Sequence, residues 1–271
     1  SLHRRHEYRR GEVPNEHANE HATSSILFLT CQIDVHKSNL AVAVMGWTKG
    51  ARCYLVDYWR FEDDDCTRTE SPAWERVRKL ITETEYIADD GKRYIITKTL
   101  IDAGYATDTV NTFCDSFNES VVPILGRETV GKKSRIKEFA KFKTSTGAVG
   151  YTIAVDHYKD RMSLLLRRQW VSGESIQEPF HFNAPTDIKD KELKELTVED
   201  RRKKTNERGV TTYEWHRPSG ADNELWDLLG YGFAAVEIMA YEICIEHYEL
   251  EAVDMVQFWE WVDMNPLYFE S

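Results

Sequence analysis

Residues 26–34 read ILFLTCQID, a nearly continuous apolar run that closes on a carboxylate. A run of this length and composition is expected of a central strand buried on both faces of a sheet. Two more strand-like runs follow closely. LAVAVMGW (40–47) comes after a short turn at 36–39, and ARCYLVDYWRF (51–61) comes after Lys49 and Gly50. Together they predict an antiparallel meander. Burying a charge at the end of such a strand is unfavourable unless the charge is paired. Ligands also gather at strand C-termini in α/β sheets. Asp34 is therefore a candidate functional group.

Working outward, AWERVRKLITETEY (73–86) has helical spacing of Trp74, Val77, Leu80 and Ile81. RYIITKTLID (93–102) predicts a fourth strand, again ending in a carboxylate, Asp102. Thr107 or Asp108 can cap a helix through about Phe117, and VVPIL (121–125) predicts a fifth strand. GYTIAVD (150–156) predicts a strand ending at Asp156, and HYKDRMSLLLRRQW (157–170) a helix. Residues 171–209 read mostly as loop, and VTTYEWHR (210–217) as a last strand. DNELWDLLGYGFAAVEIMAYEICIEHY (222–248) predicts a long helix that is apolar on most sides. This order is mixed α/β, with no repeat at a period of 20–50 residues. The polar stretch 1–25 is expected to be a linker or trimmed end, 26–248 the folded domain, and 249–271 an acidic, aromatic tail.

The net charge of −11 is unevenly spread. Residues 218–271 contain no Lys or Arg against twelve Asp and Glu, so the preceding 217 residues carry all 35 basic side chains against 34 acidic ones. Within that balanced body, residues 126–143 hold seven Lys and Arg and two Glu, a basic stripe suited to an extended polyanion. The five cysteines are scattered singly, which argues against a disulfide framework or a zinc site and for a reducing cytoplasm. No run approaches the roughly 20 apolar residues of a membrane span, and no membrane partner is expected.

The basic stripe contains Gly126-x-x-x-x-Gly131-Lys132, most of a phosphate-cradling loop. Such a loop needs Ser or Thr immediately after the lysine to hold magnesium. Here Lys133 follows, and Ser134 comes one residue late. The sequence therefore does not specify a nucleotide-driven motor.

ADNELWD adds two acids, Glu224 and Asp227, spaced i, i+3 on one helix face among Leu225, Trp226, Leu228 and Leu229. Carboxylates from two strand ends and a helix could converge on divalent metals, and hard oxygen ligands suit Mg²⁺ or Mn²⁺. A pair of such ions roughly 4 Å apart can activate a water and steady the leaving oxygen in phosphodiester cleavage.

The ordered set of the Asp34 strand and meander, IDAG (101–104), VPILGRETVGK (122–132) and NELWD (223–227) resembles the nuclease domain of phage terminase large subunits, in the lambda-like branch. The similarity runs from about residue 12 to residue 245. It implies an RNase H-like fold of the resolvase and integrase type, a mixed sheet flanked by helices. It also implies a metal-dependent endonuclease that cuts concatemeric double-stranded DNA during packaging. By position, Asp34 and Asp102 would be metal ligands, with Glu224 or Asp227 as the third and Asp156 as a weaker candidate. The branch usually has Gln where His36 stands, so His36 would contact DNA, assist proton transfer or have no such role. Lys132, Lys133, Arg135 and Lys137 would contact DNA phosphates. The family's ATPase motor would precede residue 1, and the acidic tail, with Phe258, Trp259, Trp261 and Phe269, would dock on the portal or else pack back on its own domain as a final helix. The small terminase subunit is a further implied partner. The competing expectations are another RNase H-like nuclease, for junctions or RNA hybrids, and a non-catalytic module that docks DNA or portal.

Overall fold

The apolar run at 26–34 becomes β1 (Phe28–Val35), paired on one side with antiparallel β2 (Asn39–Thr48), which in turn pairs with antiparallel β3 (Arg52–Glu62). These features come from a computed structural model that describes residues 8–14, 26–127, 138–171, 182–205 and 207–270. After the meander come α1 (Pro72–Glu83), β4 (Tyr86–Ile87), β5 (Arg93–Tyr94), β6 (Ile96–Asp102), α2 (Thr107–Asp115) and β7 (Val121–Arg127). The second half contains β8 (Phe139–Lys143), β9 (Val149–Ala154), α3 (Val155–Val171), β10 (Phe182–Asn183), α4 (Asp190–Glu195), β11 (Asp200–Thr205) and β12 (Thr211–His216). It closes with α5 (Glu224–Tyr241), a π-helical turn (Glu242–His247), α6 (Met255–Met264) and β13 (Tyr268–Phe269).

The main sheet has the order β10-β3-β2-β1-β6-β7-β9-β8. Within its centre, β3-β2-β1-β6-β7, only β2 runs against the others. A meander followed by parallel strands added on the far side of β1 is the arrangement of the RNase H-like fold. Side chains alternate across each strand. Leu29, Cys31 and Ile33 therefore join the core under α1 and α2, while Leu100 and Ile124 join the opposite core under α3, α5 and α6. Each fully buried Leu or Phe in these layers contributes about 1.5–3 kcal/mol.

Two local features set the helix positions. Ser71 caps α1 by accepting from the Ala73 N–H, with Pro72 at the first helical position. On α5, Gly232 lets the helix lie directly on β2, since a Cβ there would sit 2.8 Å from the Met45 sulfur and 2.9 Å from the Trp47 ring. The helical run Glu224–His247 is apolar and long enough to cross a membrane by composition. However, 72% of its apolar window is buried inside the protein, as expected of a core helix.

Several expectations change. The strand expected over 93–102 is split: β6 joins the main sheet, while β5 forms a small sheet with β4 and β13. The region 171–209, read as mostly loop, contains α4 and β11, and β11 pairs with β12 as a separate hairpin. Residues 8–14, within the expected linker, are packed. The Tyr8 hydroxyl donates to the Asn183 carbonyl at 2.8 Å, and Val13 is buried and bridged to Ala88. For the acidic tail, the structure follows the expectation of a final helix packed back on the domain. Phe258 and Trp259 are buried against Phe28, with ring centroids 6.2 and 5.9 Å away, and Phe269 remains half exposed.

Candidate active site

Parallel pairing of Ile33 with Ile101 places Asp34 and Asp102 side by side at the ends of neighbouring strands, on the face covered by α5. Adjacent strands are about 4.8 Å apart. Among the described residues Asp102 accepts hydrogen bonds only from neutral donors: the Gly104 N–H reaches one oxygen at 2.8 Å and the Tyr231 hydroxyl the other at 2.7 Å. Burial pushes its carboxyl above the ordinary range, and the charge of Asp34 adds to this. The two hydrogen bonds pull the other way, as does the nearby His36. Asp34 lies 3.2 Å from Nε2 of His36, which is also 3.7 Å from Glu224. The Asp34 carboxylate beside it raises the His36 imidazole above its usual value, against the opposing effect of burial.

The helix α5 begins under two carboxylates that precede it in the chain. Asn223 stands at the N-cap, but its side chain does not cap the helix. Instead its amide donates to Glu199 at 2.6 Å and to Asp227 at 2.7 Å, and its carbonyl accepts from Arg217 at 2.6 Å. The Leu225 N–H is satisfied by Glu195 at 2.9 Å, a carboxylate at the positive end of the helix. From this start Glu224, Asp227 and Tyr231 follow at steps of three and four and share one face.

The two helix acids have different surroundings. Glu224 lies 3.0 Å from the Arg60 guanidinium, which also contacts Glu195 at 3.0 Å and Asp222 at 3.7 Å. Glu195, Asp222 and Glu224 offer oxygens within 4.8 Å of one another, and Arg60 contacts all three. Asp227 lies 2.8 Å from the ammonium of Lys159, which is 2.8 Å from Glu199 as well. Burial pushes the Asp227 carboxyl up to about 6, helped by Glu199 and Asp34 and opposed by Lys159.

Thus Asp34, Asp102 and Asp227 share one electrostatic neighbourhood, and His36 links Asp34 to Glu224. Asp156, expected at a strand end, lies instead in the first turn of α3, 3.8 Å from Arg201 of the hairpin. Lys132, Lys133, Arg135 and Lys137 lie outside the described residues. The sequence reading missed Arg60, Lys159, Glu195, Glu199 and Tyr231. Tyr231 carried a signal, since it stands four residues after Asp227 on the same helix face. Lys159 and Glu199 sat in charged stretches that look solvated.

Strand order and acid placement together define an RNase H-like domain with a carboxylate centre at the C-terminal edge of its central strands. A sequence model of the terminase large subunit gpA endonuclease domain matches residues 2–248, and the chain belongs to that family. No curated protein sequence matches the chain. Two solved structures are similar to it. One is the large terminase nuclease from thermophilic phage G20c with bound magnesium, at 11% identity and a TM-score of 0.42, covering 84% of this chain and 92% of that one. The other is the g2p large terminase nuclease domain from bacteriophage SPP1 with bound Mn, at 12% identity and a TM-score of 0.38, covering 83% and 96%.

Proposed function

We propose that this endonuclease domain cuts concatemeric double-stranded viral DNA by metal-dependent phosphodiester hydrolysis, in the cytoplasm of the host cell during genome packaging. The observation that carries the reading is the register of β1 and β6, which sets Asp34 beside Asp102 under the acidic face of α5. The donor set fits a hard divalent cation. It consists of carboxylate oxygens, and the half-buried Asp102 accepts hydrogen bonds only from neutral donors among the described residues. Asp34 and Asp102 would hold Mg²⁺ or Mn²⁺, with Glu224 or Asp227 as the third ligand and two ions in the complete site. Bound there, the ions would lower the pKa of an attacking water and neutralise charge on the leaving oxygen.

The chain's own residues prepare the site. Tyr231 and the Gly104 N–H fix the orientation of Asp102, and His36 sits where it can hold a proton beside Asp34. Arg60 keeps Glu224 at the end of β3, facing the same edge. The chain leaves β7 at Arg127, next to β6, and Lys132, Lys133, Arg135 and Lys137 follow within ten residues. These four are proposed to contact phosphates of the duplex. The ATPase motor of the same protein, the portal and the small terminase subunit are the proposed partners, on the strength of the family.

The test is plasmid cleavage in Mn²⁺. The wild type is expected to nick and linearise the DNA, and Asp34→Ala to do neither while keeping its circular dichroism and melting temperature. Equal cleavage by both proteins discards the assignment. Faster cutting of branched DNA or of an RNA–DNA hybrid would shift the substrate away from the plain duplex.

A further inference from the structure

The cation reading leaves one buried group unexplained, the ammonium of Lys159. It is 8% exposed and stands between two carboxylates, 2.8 Å from Asp227 Oδ1 and 2.8 and 2.9 Å from the oxygens of Glu199. The other Asp227 oxygen accepts from the Asn223 amide at 2.7 Å, and the same amide donates to Glu199 at 2.6 Å. Asp227 therefore has a protein partner on each oxygen, one of them a full positive charge. Asp102, by contrast, accepts hydrogen bonds only from a hydroxyl and a backbone N–H among the described residues.

Resting on the proposed cation site, we infer that Lys159 is a tethered counter-cation that competes with the divalent ion for Asp227. A cation coordinating Asp227 must either displace the ammonium or lie close to it. The repulsion between the two is strong in a setting with little water to screen it. Glu199 gives the displaced ammonium somewhere to stay, because Lys159 already touches both carboxylates and can keep one while releasing the other. Asn223 holds the two acids at the spacing that makes this exchange short. The domain alone therefore binds its cation more weakly than its carboxylates would allow. Asp227 becomes a ligand only when the ion is favoured by something further, such as a phosphate of the DNA. Lys159 is a positioning residue in this account, acting through Asp227 rather than on the substrate.

The sharpest test keeps the charge of the cluster constant. The double variant Lys159→Met/Glu199→Gln removes one positive and one negative charge and leaves Asp227 without its ammonium. Calorimetric titration of Mn²⁺ into the 271-residue chain without DNA is expected to show affinity about tenfold tighter than wild type, the scale of one hydrogen bond to a charged group. In an Asp227→Asn background the same pair of substitutions should give no gain. A folded double variant that binds Mn²⁺ no tighter than wild type overturns the inference, as does a gain that survives in the Asp227→Asn background. Folded wild type that takes up no Mn²⁺ at all overturns the cation site itself, a result distinct from either of these.

Discussion

The strand β6 carries Lys98 near its start and Asp102 at its end, both on the face that α5 covers, and the helical run answers them differently. Lys98 is 4% exposed and meets the opposite charge of Glu242 at 2.7 and 3.0 Å, while the Glu119 carbonyl lies at 2.6 Å. Tyr151 donates to the same Glu242 at 2.9 Å. Asp102, four residues on, receives from the helix only the hydroxyl of Tyr231. At one end of the strand the charges cancel within the fold. At the other a half-buried carboxylate is oriented by neutral donors but not neutralised by them, and its proton affinity rises. The contrast separates the part of the sheet that holds the architecture from the part arranged for something positive to arrive.

The largest effect should come from breaking the open end. Asp102→Asn is expected to slow Mn²⁺-dependent plasmid cleavage by about 1000-fold or more, the scale of losing an electrostatic contact made to the reacting centre. It should not lower the melting temperature. Asp102 has a raised folded-state pKa, so its contribution to stability is present below the unfolded value of about 4 and is lost as pH rises. Removing the charge removes that loss. Melts of the cation-free proteins across pH 4 to 8 should therefore show Asp102→Asn gaining on wild type toward higher pH. A variant that melts lower at every pH would place Asp102 with Lys98, as architecture.

Breaking the closed end should do the reverse. Lys98→Met leaves Glu242 and the Glu119 carbonyl without their cation, and losing one partner of a buried pair costs about 3 kcal/mol. Glu242 is 22% exposed on its side chain, so water recovers part of that loss, and about 2 kcal/mol is the expected result in urea unfolding. Mn²⁺ affinity should stay at the wild-type value. A change in cation affinity without a change in stability would invert the contrast.

Much of this contrast was legible in the sequence because it sits on regular elements. An apolar run ending in a carboxylate has few structural explanations, so Asp34 and Asp102 stood out before any geometry was known. The meander followed from period and turn spacing. What was not legible depends on pairing across distance. DRRKKT (200–205) has no apolar alternation, and it is a strand because it pairs with TTYEWH and because Arg201 is bound by Asp160 and stacks over Trp215. Lys159 and Glu199 lie 40 residues apart in charged segments, and only the folded chain shows that they enclose Asp227. In the tail, the sequence left docking and a packed final helix both open, and only the folded chain shows Phe258, Trp259 and Val262 buried.

The smallest expected effect refines the open end most. Tyr231→Phe removes the single side-chain donor to Asp102 among the described residues and nothing else of the ring's packing. Without cation, one half-buried carboxylate oxygen loses its donor, and stability should fall by about 1 kcal/mol. Cleavage should slow by no more than about tenfold, since the hydroxyl orients the carboxylate rather than replacing it. The informative measurement is the difference in melting temperature between the two proteins with and without Mn²⁺. A cation that accepts electrons from the same oxygen satisfies it in the variant as well, so the difference should shrink when Mn²⁺ is added. A difference that is indifferent to Mn²⁺ would mean that no cation reaches Asp102, and that the hydroxyl closes that end of β6 as fully as Glu242 closes the other.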